Sequence, residues 1–151
     1  MSTMTMQNDT AHDEREIRAV IESLASALHD KDAKRALGHY APDAVVFSLA
    51  PPLVQSSRNP ESDLNAWFAT WKGPVDQSHH DMVIETGGDI AFCRCLARLN
   101  ATTVGGKEVE LWFRLTRCFR RIAGAWKITH EHESVPFLMD GSFKAAIDLK
   151  P

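Results

Sequence analysis

The sequence lacks an excess of basic residues. Lys and Arg together number 17 and Asp and Glu 20 among 151 residues, which leaves a formal net charge of −3. A protein that binds nucleic acid must neutralise phosphates, and an anionic membrane surface attracts basic segments. The charge balance therefore argues against both nucleic acid and membrane as partners.

Long apolar runs are also missing. No stretch approaches the ~18 apolar residues of a transmembrane helix. The polar segment 1–11 contains no apolar core of a secretory signal. We therefore expect a soluble protein that is retained in the cytoplasm.

Cysteine is scarce and odd in number. Cys93, Cys95 and Cys118 are the three cysteines of the chain, too few and wrongly spaced for a thiolate metal site. We interpret them as small apolar residues in a reducing compartment.

The overall composition is that of one globular domain. Apolar residues make up 44% and charged residues 25%, close to average for folded proteins. A chain of this length buries enough surface to form a core without cross-links. We predict a disordered tail over residues 1–10 and a single domain over residues 11–151.

Three helices are predicted in the first half. Asp13 and Glu16 have capping-box spacing, and apolar residues at helical intervals follow to about His29. Asp32 is placed to cap a second, shorter helix. Asn59, followed by proline and glutamate, starts a third helix, whose apolar stripe contains the tryptophans at 67 and 71.

The second half changes to the alternating pattern of strands. One strand is predicted over Ala44–Leu49, another ends at Thr86, and long strands follow over Ile90–Thr103, Val109–Ile122 and Trp126–Val135. Helices followed by a run of antiparallel strands predict an α+β fold, with the helices on one face of a curved sheet.

Strand alternation suggests which side chains point inward. Trp126, Ile128, His130 and His132 share one side of the last strand, so the two histidines are predicted to face the core. Arg117 interrupts an apolar row, which indicates an ion pair, a polar pocket or an anion site unless a bulge turns it outward. The direction of Arg98 stays open.

The stretch Thr116–Pro136 resembles the nuclear transport factor 2-like superfamily, most closely its SnoaL-like and ketosteroid isomerase-homologue branch. The Trp126, His130, His132 and Ser134 pattern is also similar to the association domain of calcium/calmodulin-dependent kinase II. The resemblance implies a cone-shaped α+β fold, with N-terminal helices packed on a curved antiparallel sheet and a pocket at the wide end. It also implies a homodimer formed through the exposed sheet face, where Trp112 would lie.

Enzymes of this fold move a proton next to a carbonyl, as isomerases, hydratases or cyclases. The resemblance therefore suggests a base and a donor for the developing oxyanion. The candidate bases are His130 and His132, with Asp43 as base or orienting group. Tyr40, Arg98 and Arg117 are the candidate donors. The isomerase pattern of a tyrosine with two pocket aspartates is not found.

The alternative is a non-catalytic domain for ligand binding or assembly. A pocket with Arg117 suits a carboxylate- or carbonyl-bearing small molecule, and Trp67 and Trp71 could form its apolar wall. A metal site at His130 and His132 would need a further ligand, for which strand parity favours His80 over His79. The resemblance implies no metal, and we predict neither metal nor cofactor.

Overall fold

A computed structural model describes residues 3–151, except for the side chain of Asn8. Three helices and five strands follow in the order α1 Thr3–His29, α2 Ala33–Leu37, β1 Tyr40–Phe47, α3 Pro60–Phe68, β2 Trp71–Gly87, β3 Ile90–Thr103, β4 Glu108–Ile122 and β5 Ala125–Ser134. None of the described helices is both long and apolar enough to cross a membrane.

Helix α1 begins ten residues before the predicted start at Asp13. Residues 3–10, predicted as part of a disordered tail, are helical, whereas Met1 and Ser2 lie outside the described residues. The described side chains over residues 3–10 are exposed, so no apolar periodicity predicted a helix there. Asp13 is not a cap: it is buried inside the helix and accepts a hydrogen bond from Arg121 Nη2 at 2.7 Å.

The two shorter helices begin where their caps predicted. The Asp32 carboxylate accepts a hydrogen bond from the Arg35 amide at 3.1 Å, and the Asn59 side chain accepts one from the Ser62 amide at 3.1 Å. Each cap satisfies an amide that the first turn of a helix leaves free.

The strands form one curved, open sheet in the order β1-β5-β4-β3-β2. Strands β2 to β5 pair antiparallel, and β1 joins the edge of β5 in parallel. The α+β architecture, with helices on a curved sheet, is thereby confirmed. Only the β1 pairing departs from the expected antiparallel arrangement.

Helix α1 covers the face of the sheet that we call the concave face. The core there joins four residues of α1 to apolar side chains of β3, β4 and β5: Ile17, Ile21, Leu24, Ala27, Ala91, Cys93, Phe119, Trp126 and Ile128. Burial of each large aliphatic or aromatic side chain stabilises the fold by roughly 1.5–3 kcal/mol. The opposite, convex face carries no helix among the described residues.

A bulge in β5 changes which side chains face the core. Phe119 lies opposite Ile128 but Cys118 lies opposite His130, so Thr129 is an extra residue in the pairing. Beyond it Glu131 occupies the concave face, and His130 and His132 do not. The prediction that the two histidines face the core is therefore wrong, because it assumed unbroken alternation.

A second bulge has the same effect in β2. Two residues, Asp81 and Met82, lie between the register positions His80 and Val83, and Asp81 has a φ of 55°. His79 therefore shares the concave face with Ala97, its cross-strand neighbour, while His80 packs on Trp112 at 4.7 Å on the convex face. The preference for His80 as the inward residue is wrong for this reason.

Candidate functional site

A buried polar cluster lies on the concave face, where Arg117, Glu131 and Tyr40 meet. Arg117 is 2% exposed and Glu131 7% exposed. Arg117 Nε donates to Glu131 Oε1 at 2.6 Å, and the Tyr40 hydroxyl donates to the same oxygen at 2.8 Å. Antiparallel register brings the pair together, since Arg117 lies directly opposite Glu131.

The charge of Glu131 raises the pKa of both of its partners in this cluster. Burial raises the pKa of Tyr40 well above its ordinary value, and the charge of Glu131 raises it further. Burial works against the Arg117 cation, but Glu131 and Tyr40 hold its pKa above the usual value. Arg117 therefore keeps its charge beside the Glu131 carboxyl group, and Tyr40 remains a neutral donor.

Glu133 is the second carboxyl group on this face, two residues beyond Glu131. Burial raises its pKa to about 8, the neighbouring charge of Glu131 raises it further, and Arg117 opposes both effects. No hydrogen bond to Glu133 is present among the described residues. Glu133 is therefore largely protonated at neutral pH.

Glu133 also lines a cavity of the described chain. This cavity has a volume of about 580 Å³ and lies at the ends of β1 and β5, under the loop that follows β1. Its walls are Phe47, residues 48–54, His132 and Glu133. Most of the lining is apolar, and Glu133 is the only carboxyl group among these wall residues.

One donor of the cluster is left free. Arg117 Nη1 is buried and has no hydrogen-bond partner among the described residues. A buried, unpaired donor on a charged group is unfavourable unless a ligand or water completes it. The concave face therefore holds a charged donor without a partner, and of its polar groups Glu133 is the one that lines the cavity.

The structure brings only two of the predicted site residues into this cluster, Tyr40 and Arg117. Asp43 is exposed on β1. Arg98 lies on the convex face and pairs with Glu110 at 3.2 Å, which settles its direction as outward. Glu110, on β4, has its pKa lowered by this contact and by Trp112.

The predicted histidines lie at the β1–β5 edge. His130 Nδ1 donates to the Val45 carbonyl at 2.7 Å, and both imidazoles contact the Phe47 ring edge-on. His132 is exposed and reaches the cavity wall. Within residues 3–151 no three ligand-type side chains converge as a metal site.

The predicted aromatic wall forms elsewhere. The rings of Trp67 and Trp71 lie 5.8 Å apart, where α3 meets β2, and Trp71 packs against Phe68 and Val75. Trp71 packs against a second core cluster and Trp67 is 37% exposed, and neither lines the cavity beside Glu133.

Sequence reasoning missed both carboxyl groups, although one signal for them was present. Counting outward from the Ala123–Gly124 turn without a bulge places Arg117 opposite His130, a poor partner for a buried cation. A shift of one residue places it opposite Glu131, as observed. The need of Arg117 for an anion could therefore have indicated the bulge.

Comparisons with known proteins agree with this geometry. The sequence model of the SnoaL-like domain matches residues 17–138. The chain matches none of the curated proteins. A nuclear transport factor 2-like protein of unknown function from Pseudomonas putida KT2440 is 29% identical, with a TM-score of 0.82 over 94% of this chain and 99% of that one.

Two more distant structures share the fold. A Xanthomonas campestris protein named as a candidate calcium/calmodulin-dependent kinase II association domain is 21% identical, with a TM-score of 0.70 over 80% of this chain and 85% of that one. A candidate scytalone dehydratase from Novosphingobium aromaticivorans is 14% identical, with a TM-score of 0.75 over 91% and 93%. The resemblance stated from the sequence is confirmed. The chain belongs to the SnoaL-like domain family, within the nuclear transport factor 2-like superfamily.

Proposed function

We propose that the protein binds a small, largely apolar carbonyl compound and moves a proton on the carbon next to its carbonyl group. One observation carries this proposal: Glu133 lies on the same face as the Arg117–Glu131 ion pair and has its pKa raised to about 8, because it is buried beside the charge of Glu131. A carboxyl group whose environment strongly raises its pKa is a mark of acid–base sites.

Glu133 is the proposed base. A carboxylate with a pKa of about 8 is a stronger base than an ordinary glutamate and is still partly ionised near neutral pH. It takes the α-proton and returns it, while the positive charge of Arg117, which also acts on Glu133, favours the negative charge that develops on the oxygen. Tyr40 and Glu131 hold the guanidinium in place.

The structural relatives support a reaction of this class. A dehydratase must also transfer protons, and one relative is named as a candidate scytalone dehydratase. The apolar walls of the 580 Å³ cavity suit the hydrocarbon part of such a substrate.

The test is solvent deuterium exchange. The α-protons of cyclohexanone, 1-indanone and 2-acetylnaphthalene are followed in D₂O by NMR with catalytic amounts of protein. The wild type should accelerate exchange of at least one ketone, with a rate that rises with pH through about 8. Glu133→Gln should lower this rate by about 100-fold, the lower range for loss of a general base.

The matched control is Glu85→Gln, which changes an exposed carboxylate of β2 in the same way. Its exchange rate should equal that of the wild type. A wild type that accelerates none of the three ketones, or a Glu133→Gln variant that is as active as the wild type, would overturn the proposed chemistry.

A second candidate function is binding without chemistry. It is favoured by the buried free donor of Arg117, which can hold a carbonyl or carboxylate oxygen of a small molecule whether or not a proton moves. Saturable binding of a ketone without any acceleration of exchange would support it.

We further propose that the protein is a cytoplasmic homodimer. The convex face, which no described helix covers, supports the dimer because it presents Trp112 in contact with His80 beside half-buried Leu96. The three free thiols of Cys93, Cys95 and Cys118 are consistent with a reducing compartment.

A further inference from the structure

The loop that follows β1 forms most of the wall of the cavity beside Glu133. Residues 48–54 of this loop line the cavity together with Phe47, His132 and Glu133. The loop belongs to no helix or strand, so other contacts must give it a defined shape. The contacts that hold the loop therefore decide the shape of the site.

The side chain of Gln55 supplies most of those contacts. Its Nε2 donates to Ser48 Oγ at 2.8 Å and to the Ala50 carbonyl at 3.1 Å, and it lies 3.4 Å from the Pro51 carbonyl. A carbonyl oxygen can only accept, so the geometry requires the NH₂ group of the amide at this position. The other hydrogen bond that residues 48–54 make among the described residues joins Ser48 Oγ to the Ala50 carbonyl at 3.0 Å.

The backbone of Gln55 is fixed as well. Its amide donates to the Val46 carbonyl at 3.0 Å, and the two residues form an isolated antiparallel bridge. Val46 lies in β1, opposite Glu131 of β5. Gln55 is thus anchored to the sheet by its backbone and holds the loop with its side chain.

The loop presents apolar side chains that the protein itself leaves in contact with water. Leu49 is 39% exposed, Leu53 94% and Val54 46%, and all three line the cavity. A ligand that covers apolar surface in a concave site gains affinity from it. With its carbonyl group at Glu133, a ligand of sufficient size lays its apolar part against this loop.

We infer that Gln55 is a positioning residue that holds residues 48–54 as a preformed apolar wall, and that this wall selects ketones whose apolar part is as large as two fused rings. The inference rests on the proposed function and names the substrate class of that site. A cavity of about 580 Å³ lies within the usual range for sites that hold such ligands. A ketone of one small ring reaches Glu133 without covering the loop, so it gains little from the wall.

The experiment compares a large and a small ketone. Gln55→Glu keeps the size of the side chain but places an oxygen, in place of the donor, against the Ala50 and Pro51 carbonyls. Dissociation constants of 2-acetylnaphthalene and cyclohexanone are measured at pH 7 by NMR titration. The variant should bind 2-acetylnaphthalene about tenfold more weakly than the wild type, within the range that the loss of two hydrogen bonds allows. Its affinity for cyclohexanone should change by less than about twofold.

The matched control is Gln7→Glu, which makes the same change at an exposed position of α1 and should leave both dissociation constants unchanged. Deuterium exchange of 2-acetylnaphthalene separates positioning from chemistry. Because the hydrogen bonds of Gln55 go to the loop and to Val46 rather than to Glu133, Gln55→Glu should raise KM about tenfold and leave kcat within about twofold. A lowered kcat with an unchanged KM would contradict a positioning role.

The wild type offers a readout that needs no variant. The methyl groups of Leu49, Leu53 and Val54 should shift in ¹³C-methyl NMR spectra when 2-acetylnaphthalene is added, and much less with cyclohexanone at equal saturation. The control is Ile90, an exposed residue at the opposite end of the sheet, whose methyl signals should stay unmoved.

The outcomes separate the inference from the function on which it rests. If the wild type binds both ketones but Gln55→Glu weakens both equally or neither, the inference fails and the proposed function stands. Tighter binding of cyclohexanone than of 2-acetylnaphthalene, or unmoved loop methyl groups at saturating 2-acetylnaphthalene, overturns the inference in the same way. If the wild type binds neither ketone, the proposed function fails as well.

Discussion

Arg117 and Glu131 can be buried because each compensates the other. The Arg117 and Glu131 side chains are 3% and 9% exposed. Burial of either charge without the other would be strongly destabilising. The position of Arg117 in an apolar row of the sequence already indicated such a partner, and that part of the site was predictable. The identity of the partner was not, because it depends on register.

The first prediction follows from that dependence. Glu131→Leu leaves a buried cation unpaired and should lower the free energy of unfolding by about 3–5 kcal/mol. The double variant Arg117→Met with Glu131→Leu should recover most of this loss, because no charge remains to be buried. Urea denaturation of both variants measures the effect, and a double variant as unstable as the sum of the single variants would contradict it.

The second prediction concerns the titration of Glu133. Its pKa in the folded protein, about 8, exceeds the ordinary value, so the folded state binds the proton more tightly than the unfolded chain. This contribution to stability is complete at low pH and is lost as pH rises through 8. The free energy of unfolding should fall with pH by up to about 1.4 kcal/mol per unit below that point.

Other groups also make stability depend on pH, so a comparison with Glu133→Gln is needed to isolate the effect of Glu133. The pKa of His79 is lowered to about 4, which makes stability rise with pH until the unfolded histidine has lost its proton near 6.5. The difference between wild type and variant should therefore be followed by urea denaturation from pH 6.5 to 8.5. The expected result is a falling curve for the wild type relative to Glu133→Gln, and parallel curves would disprove the raised pKa.

At the scale of elements, propensity and capping predicted where most helices and strands lie, but not how two strands are offset. Asp32 and Asn59 act through bonds to amides three residues away, so local sequence shows them. The β5 bulge at Thr129 depends instead on what Arg117 requires from the neighbouring strand. A single inserted residue exchanges the faces of all that follow it, and His130 and His132 were misplaced for this reason.

The third prediction concerns the two parts of α1. The described side chains over residues 3–11 are exposed, whereas Asp13 is buried and bonded to Arg121. Removal of residues 1–10 should therefore change the free energy of unfolding by less than about 0.5 kcal/mol, as for surface changes in general. Asp13→Ala should cost about 1.5–3 kcal/mol, the range for a hydrogen bond to a charged group.

Both α1 variants are measured by urea denaturation against the wild type. Asp9→Ala, a change of the same kind outside the buried part of the helix, is the matched control. A truncation that costs as much as Asp13→Ala would show that the first turns of α1 contribute to the core.

At the scale of the whole molecule, element order and the Thr116–Pro136 pattern together were enough to predict the α+β fold. Neither of them predicted the order in which the strands pair. Because β1 joins β5 in parallel, the loop after Phe47 and the end of β5 lie at one edge of the sheet. That adjacency creates the cavity lined by Glu133. Residues some 80 positions apart in sequence form it, and no local pattern relates them.

The last prediction concerns assembly through the convex face. Trp112 contacts the His80 ring at a tilt and lies beside the Arg98–Glu110 pair. An aromatic surface is thus framed by charged groups, as in the centre and rim of protein interfaces. Analytical ultracentrifugation should find twice the 16.8 kDa of one chain. Trp112→Asp should shift the protein towards monomer, because it buries an unpaired charge at the centre of the interface.

Val104→Asp is the control for this experiment, since Val104 is a 66% exposed apolar residue in the β3–β4 turn and its replacement should leave the dimer intact. A monomeric wild type would refute the proposal outright. A dimer that survives Trp112→Asp would place the interface elsewhere, because the convex face has no second tryptophan to replace the lost contact. The monomeric Trp112→Asp variant should still exchange ketone α-protons at the wild-type rate, since Glu133 and Arg117 lie on the concave face of the sheet.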